Sequence, residues 1–339
     1  MIPETNQQPG VHYAVTADGI ELPIIDITHP AFALAVSDND QRGLIDQFMR
    51  TDQPLAKLPR FLRRWLLRII LRDSVLAQGL RRAEGAVLGG MSTYLFKLGP
   101  ENLGSYAKPI DRRIAAALPA LAMRLRVQDM ASLLADTVLP ALQANPRRPL
   151  HFINIAGGPA LDSINALLLL QRDHPDSLAE RPVMIEVLDP DRAGPTFGAR
   201  ALAALQAADA PLHDVRASFR AVSYDWTRPD DLALVLAAAR AGNAVIAGSS
   251  EGGLFEYGTE DAIVANLQAL HRGGGDSVIM AGSVTRADAP IQRLHQTSSV
   301  ATIPRGLDAF RTLAGRAGWS VMRAIERPFS DHVLLAPVP

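Results

Sequence analysis

The chain has 339 residues, of which 48% are apolar and 20% are charged, and these proportions are typical of a globular protein with a substantial core. A formal net charge of -1 gives no overall field that would attract nucleic acid or an acidic partner. The absence of cysteine excludes disulfides, thiolate metal ligands and a cysteine nucleophile.

The first part of the chain predicts mainly helices. Its start lacks a basic segment followed by an apolar one, so we expect no signal peptide and a cytoplasmic protein. Residues 19–27 predict a short strand or an extended arm. Helical periodicity then covers residues 40–50, 55–82 and 110–143. The longest apolar runs are too short to span a bilayer, so no stable membrane association is expected.

A basic amphipathic helix is predicted over residues 58–74. Arginines recur there at every fourth position against an apolar face. The ordinary interpretation is the solvated face of a packed helix. The alternative is a surface for an anionic membrane or a partner protein.

The second part, after Pro146, alternates apolar strands with helices. The predicted strands cover residues 150–156, 183–189, 219–224, 244–248 and 276–282, and the helices between them cover residues 160–172, 198–208, 229–241 and 259–272. This alternation indicates a parallel sheet that is covered on both faces. After a helix over 306–317, strands at 319–325 and 331–336 lie too close in sequence for a crossover, so the last strand should be antiparallel.

A turn of small residues follows the first of these strands. The segment HFINIAGGPALDS, residues 151–163, runs from an apolar strand through Ala156, Gly157 and Gly158 into a helix. Small residues at this edge of an open α/β sheet permit close approach of a nucleotide-like ligand. Because the spacing departs from G-x-G-x-x-G, an ordinary strand-to-helix turn remains the alternative.

The next strand ends carry acidic, aromatic or small residues. The second strand runs into Asp189-Pro190-Asp191, the third into Tyr224-Asp225-Trp226, and the fourth into Gly248-Ser249 and a glycine-rich loop. Carboxylate oxygens accept hydrogen bonds, and aromatic rings beside them offer stacking surfaces.

This order of strand ends, followed by a hairpin after Ala317-Gly318-Trp319, resembles the class I S-adenosylmethionine-dependent methyltransferases from about residue 150 to the end of the chain. The resemblance implies an α/β, Rossmann-like fold with a seven-stranded, mostly parallel sheet and an antiparallel last strand. It also implies a mainly helical cap or substrate region over residues 1–148 and a cofactor domain over residues 149–339.

The resemblance further implies S-adenosylmethionine as the cofactor. The family's acidic residue and G-x-G-x-G positions correspond to Asn154, Ala156, Gly158 and Ala160, with asparagine in place of the carboxylate. Asp189 corresponds to the acceptor for the ribose hydroxyls, and Asp225 to the adenine acceptor, with Trp226 or Tyr224 stacking on the ring. The implied cofactor-binding residues are Asn154, Ala156, Gly157, Gly158, Asp189, Pro190, Asp191, Tyr224, Asp225, Trp226, Gly248 and Ser249.

Each of these assignments has a plainer alternative. Asp189 could be a helix cap or a loop carboxylate. Asp225 could lie in a solvated turn, with Trp226 in the core.

The implied reaction is an in-line methyl transfer to a small-molecule acceptor, most readily oxygen or nitrogen. Such a displacement mainly requires alignment, and a base helps if the acceptor is protonated. The candidate bases are Glu251, Glu256, Tyr257 and His295, each of which could instead be solvated or part of the core. Tyr94 and Lys97 could face the site, and Arg126 could orient a carboxylate or form a surface ion pair.

Two other functions remain open at the level of sequence. One is aminopropyl transfer of the spermidine synthase type, which the pair of acidic residues Glu251 and Glu256 would suit. The other is a cofactor-binding or regulatory protein without catalysis, which the asparagine at position 154 would suit. We expect no metal site, since the histidines lack ligand-like spacing. We also expect no nucleic-acid partner, and a homodimer through the N-terminal helices is compatible with the sequence.

Overall fold

A seven-stranded sheet forms the centre of the protein. The computed structural model describes residues 7–51, 74, 76, 90–105, 107–275, 277–298 and 300–338. The strands of the sheet are β3 (Leu150–Ile155), β4 (Val183–Leu188), β5 (Ala217–Val222), β6 (Val245–Ser250), β7 (Ile279–Thr285), β8 (Trp319–Glu326) and β9 (Ser330–Pro337). Their order is β5-β4-β3-β6-β7-β9-β8, and β9 is antiparallel to both of its neighbours. The predicted sheet and its antiparallel last strand are confirmed.

Helices cover both faces of the sheet. In the N-terminal part they are α1 (Asp38–Arg50), α2 (Gly90–Lys97), α3 (Pro109–Ala115) and α4 (Leu118–Ala144). Later in the chain they are α5 (Leu161–Asp173), α6 (Ala193–Leu205), α7 (Asp230–Ala241), α8 (Leu254–Tyr257), α9 (Glu260–Gly274), α10 (Ala289–Thr297) and α11 (Leu307–Arg316). Alternate residues of β3 point to opposite faces, so Phe152 packs with α4, α5 and α6 while Ile153 packs with α7, α9 and α11.

The burial of each strand follows from its position in the sheet. Every residue of β3 is buried because the strand has a neighbour on each side and a helical layer on each face. Strand β5 lies at the edge and has no fully buried residue. The carboxyl ends of the central strands therefore lie over a rigid, fully packed support.

The N-terminal part differs from prediction in two places. A hairpin pairs β1 (Tyr13–Val15) with β2 (Glu21–Pro23), whereas the sequence predicted only an isolated strand or arm. The helix predicted over residues 110–143 is two helices, because α3 ends at Ala115 and α4 begins at Leu118 with Pro119 in its first turn, where proline is well tolerated. Most of the predicted helix over 55–82, including its basic face, lies outside the described residues.

The N-terminal part shares a core with the sheet. Tyr94 of α2 donates from its hydroxyl to the carbonyl of Pro23 at 2.7 Å. The Asn165 amide of α5 donates to the carbonyl of Ile25 at 2.9 Å and accepts from the N–H of Ile27 at 2.8 Å. Since these groups are buried, each bond satisfies a polar group that water cannot reach. In the part of the chain that is described, no helix combines the length and apolar character needed to cross a membrane.

Candidate functional site

The strand order reverses between β3 and β6. From β3 the chain builds outward through β4 to β5, and it then returns to β6 and continues in the other direction to β7. Helices after β3 and β6 diverge at such a switch point and leave a crevice above the carboxyl ends, which is the usual ligand site of open α/β sheets. The predicted site residues all follow β3, β4, β5 or β6, or lie close to this edge.

The glycine turn after β3 is packed against the chain's own backbone. Gly158 has φ +56°, and a Cβ added there would lie 2.8 Å from Cα of Gly90. A Cβ on Gly194 would lie 2.8 Å from Cα of Gly158. A small residue at Gly158 is therefore required for contact with α2 and α6. The predicted approach of a ligand to this turn stays a prediction.

Asn154 and Asp162 form a buried polar pair beneath this turn. Asn154 donates from Nδ2 to Asp162 Oδ1 at 2.6 Å and to Ser249 Oγ at 2.9 Å. Gly157 covers the Asn154 amide so closely that a Cβ there would lie 1.6 Å from Oδ1. Asn154 Oδ1 and Asp162 Oδ2 are buried without a hydrogen-bond partner among the described residues. Burial, with the nearby charge of Glu251, raises the pKa of Asp162 to about 6.

Asp189 ends β4 directly beside the glycine turn. Its Oδ2 accepts from the N–H of Gly158 at 2.9 Å, and its Oδ1 accepts from the N–H of Asp191 at 2.8 Å. Burial raises the pKa of Asp189, although both backbone bonds oppose that shift. Pro190 between the two acidic residues is exposed. Asp189 therefore lies at the glycine turn, at the end of β4. Each oxygen of its carboxylate accepts one backbone bond and retains a lone pair.

Of the three predicted site residues that follow β5, one is exposed to solvent and two pack against the core. Asp225 is exposed, and its Oδ1 accepts from the backbone N–H and the hydroxyl of Thr227. Tyr224 is buried and donates from its hydroxyl to Asn266 of α9. Trp226 packs half-buried against the same core. This is the geometry of a solvated turn beside the core, and the predicted contact of these residues with adenine stays a prediction.

A buried cluster of charges lies after β6. Glu251 accepts from Lys97 Nζ at 2.5 Å and from Arg126 Nε at 2.6 Å, and Arg126 Nη1 lies 3.1 Å from Oε1 of Glu256. Burial favours the neutral acid, but Lys97 and Arg126 together lower the pKa of Glu251. Glu251 is therefore held as a carboxylate, which makes it a weak proton acceptor at neutral pH. Gly248 and Ser249 lie buried in β6 itself.

A cleft, which we call the α4 cleft, opens beside this cluster at the carboxyl ends of β6 and β7. It encloses about 630 Å³ of space, some of it open to solvent. Its lining includes Met123, Arg126, Tyr257, Thr285, Phe329 and Ser330. Gly253 packs against the carbonyl oxygen of Ala156, and the adjacent Gly252 lines the cleft. The cleft and the glycine turn therefore share a border.

The other two predicted bases lie at or next to this cleft. Burial and the charge of Glu256 raise the pKa of Tyr257, so its phenol stays protonated and can donate a hydrogen bond. His295 of α10 lies beside the lining residue Thr302, with Nε2 3.1 Å from its hydroxyl. Partial burial lowers the pKa of His295, so its imidazole is neutral at neutral pH.

Sequence reasoning did not identify three polar residues beside the site. In the sequence, Asp162 belongs only to a predicted helix, although an acidic residue one turn after a glycine loop is a signal for a site. Ser330 and His332 alternate on one strand and therefore share a face, but their partner Asp129 lies on α4 and no local pattern links them. The described residues contain no group of three or more His, Cys, Asp or Glu side chains that could hold a metal ion.

Comparison with known proteins gives similarity in structure alone. No protein-family model and no curated protein sequence matches the chain. A possible exported protein from Bordetella parapertussis is 17% identical and has a TM-score of 0.56, over 92% of this chain and 99% of that one.

Two methyltransferases are also similar over part or most of their length. One is an O-methyltransferase from neocarzinostatin biosynthesis, in complex with S-adenosylmethionine and 2-hydroxy-5-methyl naphthoic acid, at 15% identity and a TM-score of 0.41 over 96% of this chain and 81% of that one. The other is the mitomycin 7-O-methyltransferase, at 13% identity and a TM-score of 0.41 over 68% of this chain. That match spans 59% of the mitomycin enzyme.

The sheet order, the single antiparallel strand β9 and the alternating helices agree with the fold that the strand ends and the terminal hairpin predicted. A full-length similarity at a TM-score of 0.56 shows that this architecture recurs in another solved protein. The chain has an α/β, Rossmann-like fold with a seven-stranded, mostly parallel sheet and one antiparallel strand, β9.

Proposed function

We propose that this protein is an S-adenosylmethionine-dependent methyltransferase that acts on a small molecule. The observation that carries the proposal is the crevice at the switch point between β3 and β6, with acceptor groups on one side and the α4 cleft on the other. Asn154, Asp162 and Asp189 supply the acceptors. The crevice can hold the cofactor, and the neighbouring α4 cleft can hold the molecule that accepts the methyl group.

The polar groups match the donors of the proposed cofactor. Asn154 Oδ1 and Asp162 Oδ2 are buried acceptors without a partner among the described residues, and an ammonium group supplies the donors they lack. The carboxylate of Asp189 has lone pairs for ribose hydroxyls beyond the two backbone bonds it accepts. When bound, S-adenosylmethionine supplies a methyl group on a sulfonium centre, and its thioether leaving group needs no proton.

The chain's own residues then have three tasks. The α4 cleft holds the acceptor in line and limits access of water. The Lys97, Glu251 and Arg126 ion pairs fix the loop after β6, on which Gly252 and Tyr257 meet the cleft. Tyr257 donates a hydrogen bond to the acceptor, and His295 is a neutral group at the edge of the cleft that can take up a proton.

The charge balance of the cleft does not favour aminopropyl transfer. A polyamine needs acidic groups that are available to pair with it. Glu251 is already paired with Lys97 and Arg126, and Glu256 is paired with Arg126. Methyl transfer to an uncharged acceptor agrees better with these pairings.

Calorimetry with S-adenosylmethionine and S-adenosylhomocysteine, with NAD as control, tests the proposal. We expect both sulfur compounds to bind and NAD not to bind. Asp189→Ala should weaken binding by about 1–3 kcal/mol, since it removes a buried acceptor. The matched control is Asp214→Asn, an exposed residue before β5 that should leave affinity unchanged. Indifference of the wild-type protein to both sulfur compounds would overturn the proposed function.

A further inference from the structure

A hydrogen-bonded chain of three side chains runs from α4 to the α4 cleft. Asp129 Oδ2 lies 2.8 Å from Nδ1 of His332, and Nε2 of His332 lies 3.1 Å from Oγ of Ser330. All three residues are buried, and Ser330 lines the cleft. A carboxylate, an imidazole and a hydroxyl in this order make the hydroxyl a better proton acceptor and nucleophile than an isolated serine.

Arg327 fixes the orientation of the Asp129 carboxylate, and through it the hydrogen bonds to His332 and Ser330. It binds Asp129 through Nε at 2.6 Å and through Nη2 at 2.9 Å, so the carboxylate is held in a bidentate pair. Because Asp129 can only accept, Nδ1 of His332 carries the proton and Nε2 accepts from Ser330. The charged groups around the imidazole are Asp129 on α4, Arg327 in the turn before β9, and Asp331 on β9 itself.

A second observation indicates a ligand at this position. Thr285 of β7 pairs directly with Ser330 of β9, so the two side chains lie on the same side of the sheet. Thr285 lines the cleft, and its Oγ1 is buried without a hydrogen-bond partner among the described residues. A buried hydroxyl without a hydrogen-bond partner lowers the stability of the folded state, and a ligand group that bonds to it would remove this penalty. Phe329, next to Ser330, is held at φ +72°, which adds backbone strain of the kind found at functional sites.

The other residues that line the α4 cleft indicate what kind of ligand it can hold. Much of its lining is apolar, including Ala122, Met123, Ile291, Leu294 and Phe329. The charge of Arg126 is neutralised by Glu251 and Glu256, so the described lining of the cleft offers no spare positive charge for an anion. The chemistry therefore suits an uncharged, largely apolar molecule that carries a hydroxyl group.

We propose that Ser330, His332 and Asp129 form a proton relay for the hydroxyl group of the methyl acceptor. The inference rests on the proposed function. The acceptor proton passes to Ser330 Oγ while the proton of Ser330 passes to Nε2 of His332. The electron pair of the acceptor oxygen forms the new O–CH₃ bond, and the pair of the broken C–S bond stays on sulfur. Asp129 stabilises the resulting imidazolium.

Methyl transfer to a matched panel of acceptors tests the relay. The full chain is assayed with methyl-labelled S-adenosylmethionine and 2-naphthol, 2-naphthylamine, 2-naphthalenethiol or 4-nitro-1-naphthol. We expect transfer to 2-naphthol, and we expect kcat to fall about 100-fold or more in Ser330→Ala and His332→Gln with little change in KM, because a proton acceptor is lost. The loss should be small for 4-nitro-1-naphthol at a pH where that naphthol is already ionised. Ser330→Thr should recover part of the rate.

Controls separate a role in the reaction from a role in folding. Ser320→Ala, on the exposed side of β8, should keep the wild-type rate. Asp129→Asn and His332→Gln change buried residues, so the thermal midpoint of each variant is measured alongside its rate. If either variant fails to fold, the rate of Ser330→Ala relative to the wild-type protein decides the test, since this substitution removes only the hydroxyl at the cleft.

The outcomes distinguish the two proposals. Failure of the wild-type chain to bind S-adenosylmethionine in calorimetry overturns the proposed function itself. If the cofactor binds but Ser330→Ala transfers methyl to 2-naphthol at the wild-type rate, the relay alone is wrong. Transfer only to the amine or the thiol, or to no member of the panel, overturns the assignment of a hydroxyl acceptor.

Discussion

At the scale of single residues, the site depends on carboxylates whose surroundings differ. Asp162 is completely buried, and one of its oxygens has no hydrogen-bond partner among the described residues. Glu251 lies close enough to raise the pKa of Asp162 and is itself bound by two cations. Burial raises the pKa of Asp162 to about 6, whereas the charges of Lys97 and Arg126 outweigh burial at Glu251 and lower its pKa. One group changes its charge near neutral pH while the other stays ionised.

Asp162 should make stability depend on pH. Its folded-state pKa of about 6 exceeds the ordinary value of 3.8, so the folded chain holds this proton more tightly than the unfolded chain. Its contribution to stability is present at low pH and is lost as the pH rises through about 6. The lost free energy of unfolding should be about 3 kcal/mol. Urea unfolding of Asp162→Asn across this range should show a smaller decline than the wild-type protein.

The matched control for this test is Asp176→Asn, because Asp176 is exposed. Its pH profile should follow that of the wild-type protein. If Asp162→Asn declined with pH as steeply as the wild-type protein, the raised pKa would be wrong.

At the scale of elements, the glycine turn after β3 is built by contact with two helices. Gly158 meets Gly90 of α2 on one side and Gly194 of α6 on the other. These backbone contacts bring the start of each helix close to the carboxyl end of β3. The same turn receives Asp189 from β4, so one short segment joins four elements.

Gly194→Ala should destabilise the protein by about 1–3 kcal/mol, because the new methyl group would overlap the backbone of Gly158. The control is Gly315→Ala in α11, where a Cβ meets no atom within 4 Å. That substitution should stabilise the helix by about 0.5–1 kcal/mol. Thermal or urea unfolding measures both. Equal effects of the two changes would show that the contact between α6 and the turn is not tightly packed.

At the scale of the whole molecule, the N-terminal part and the sheet are bound together by buried bonds. Asn165 of α5 binds the backbone at Ile25 and Ile27, and α4 packs on α5 and over β6, β7 and β9. The cap and cofactor domains that the sequence predicted remain a proposal, and residues of both contribute to the core around Phe152.

We expect a fragment of residues 149–339 not to fold independently. Without α4, the apolar faces of β3 and α5 would be exposed to water. Without the N-terminal segment, the side chain of Asn165 would lose its bonds to the backbone of Ile25 and Ile27. Calorimetric unfolding of the full chain should show a single cooperative transition. A soluble fragment with its own sharp transition would contradict this and would show that the two regions are separate folding units.

The sequence determined the type and order of the elements in the second half. Alternation of strands and helices is local, and the short link before β9 allows only a hairpin, so the sheet and its antiparallel strand could be predicted. It also placed Asp189 at the end of β4, because a strand end is marked by the residues that follow it. The hairpin of β1 and β2 was missed because its strands have only three residues each.

Only the tertiary structure decided which distant residues meet. The ion pairs of Lys97 and Arg126 with Glu251, and the pairing of Asp129 with His332, join α2 and α4 to the loop after β6 and to β9. These contacts depend on α4 packing over β6, β7 and β9. Periodicity within a helix indicates which side is buried but not which strand that side covers. The contacts of Gly90 and Gly194 with Gly158 could not be predicted either, because they join residues that are distant in sequence. A small residue permits close approach, and the folded chain alone determines what approaches it.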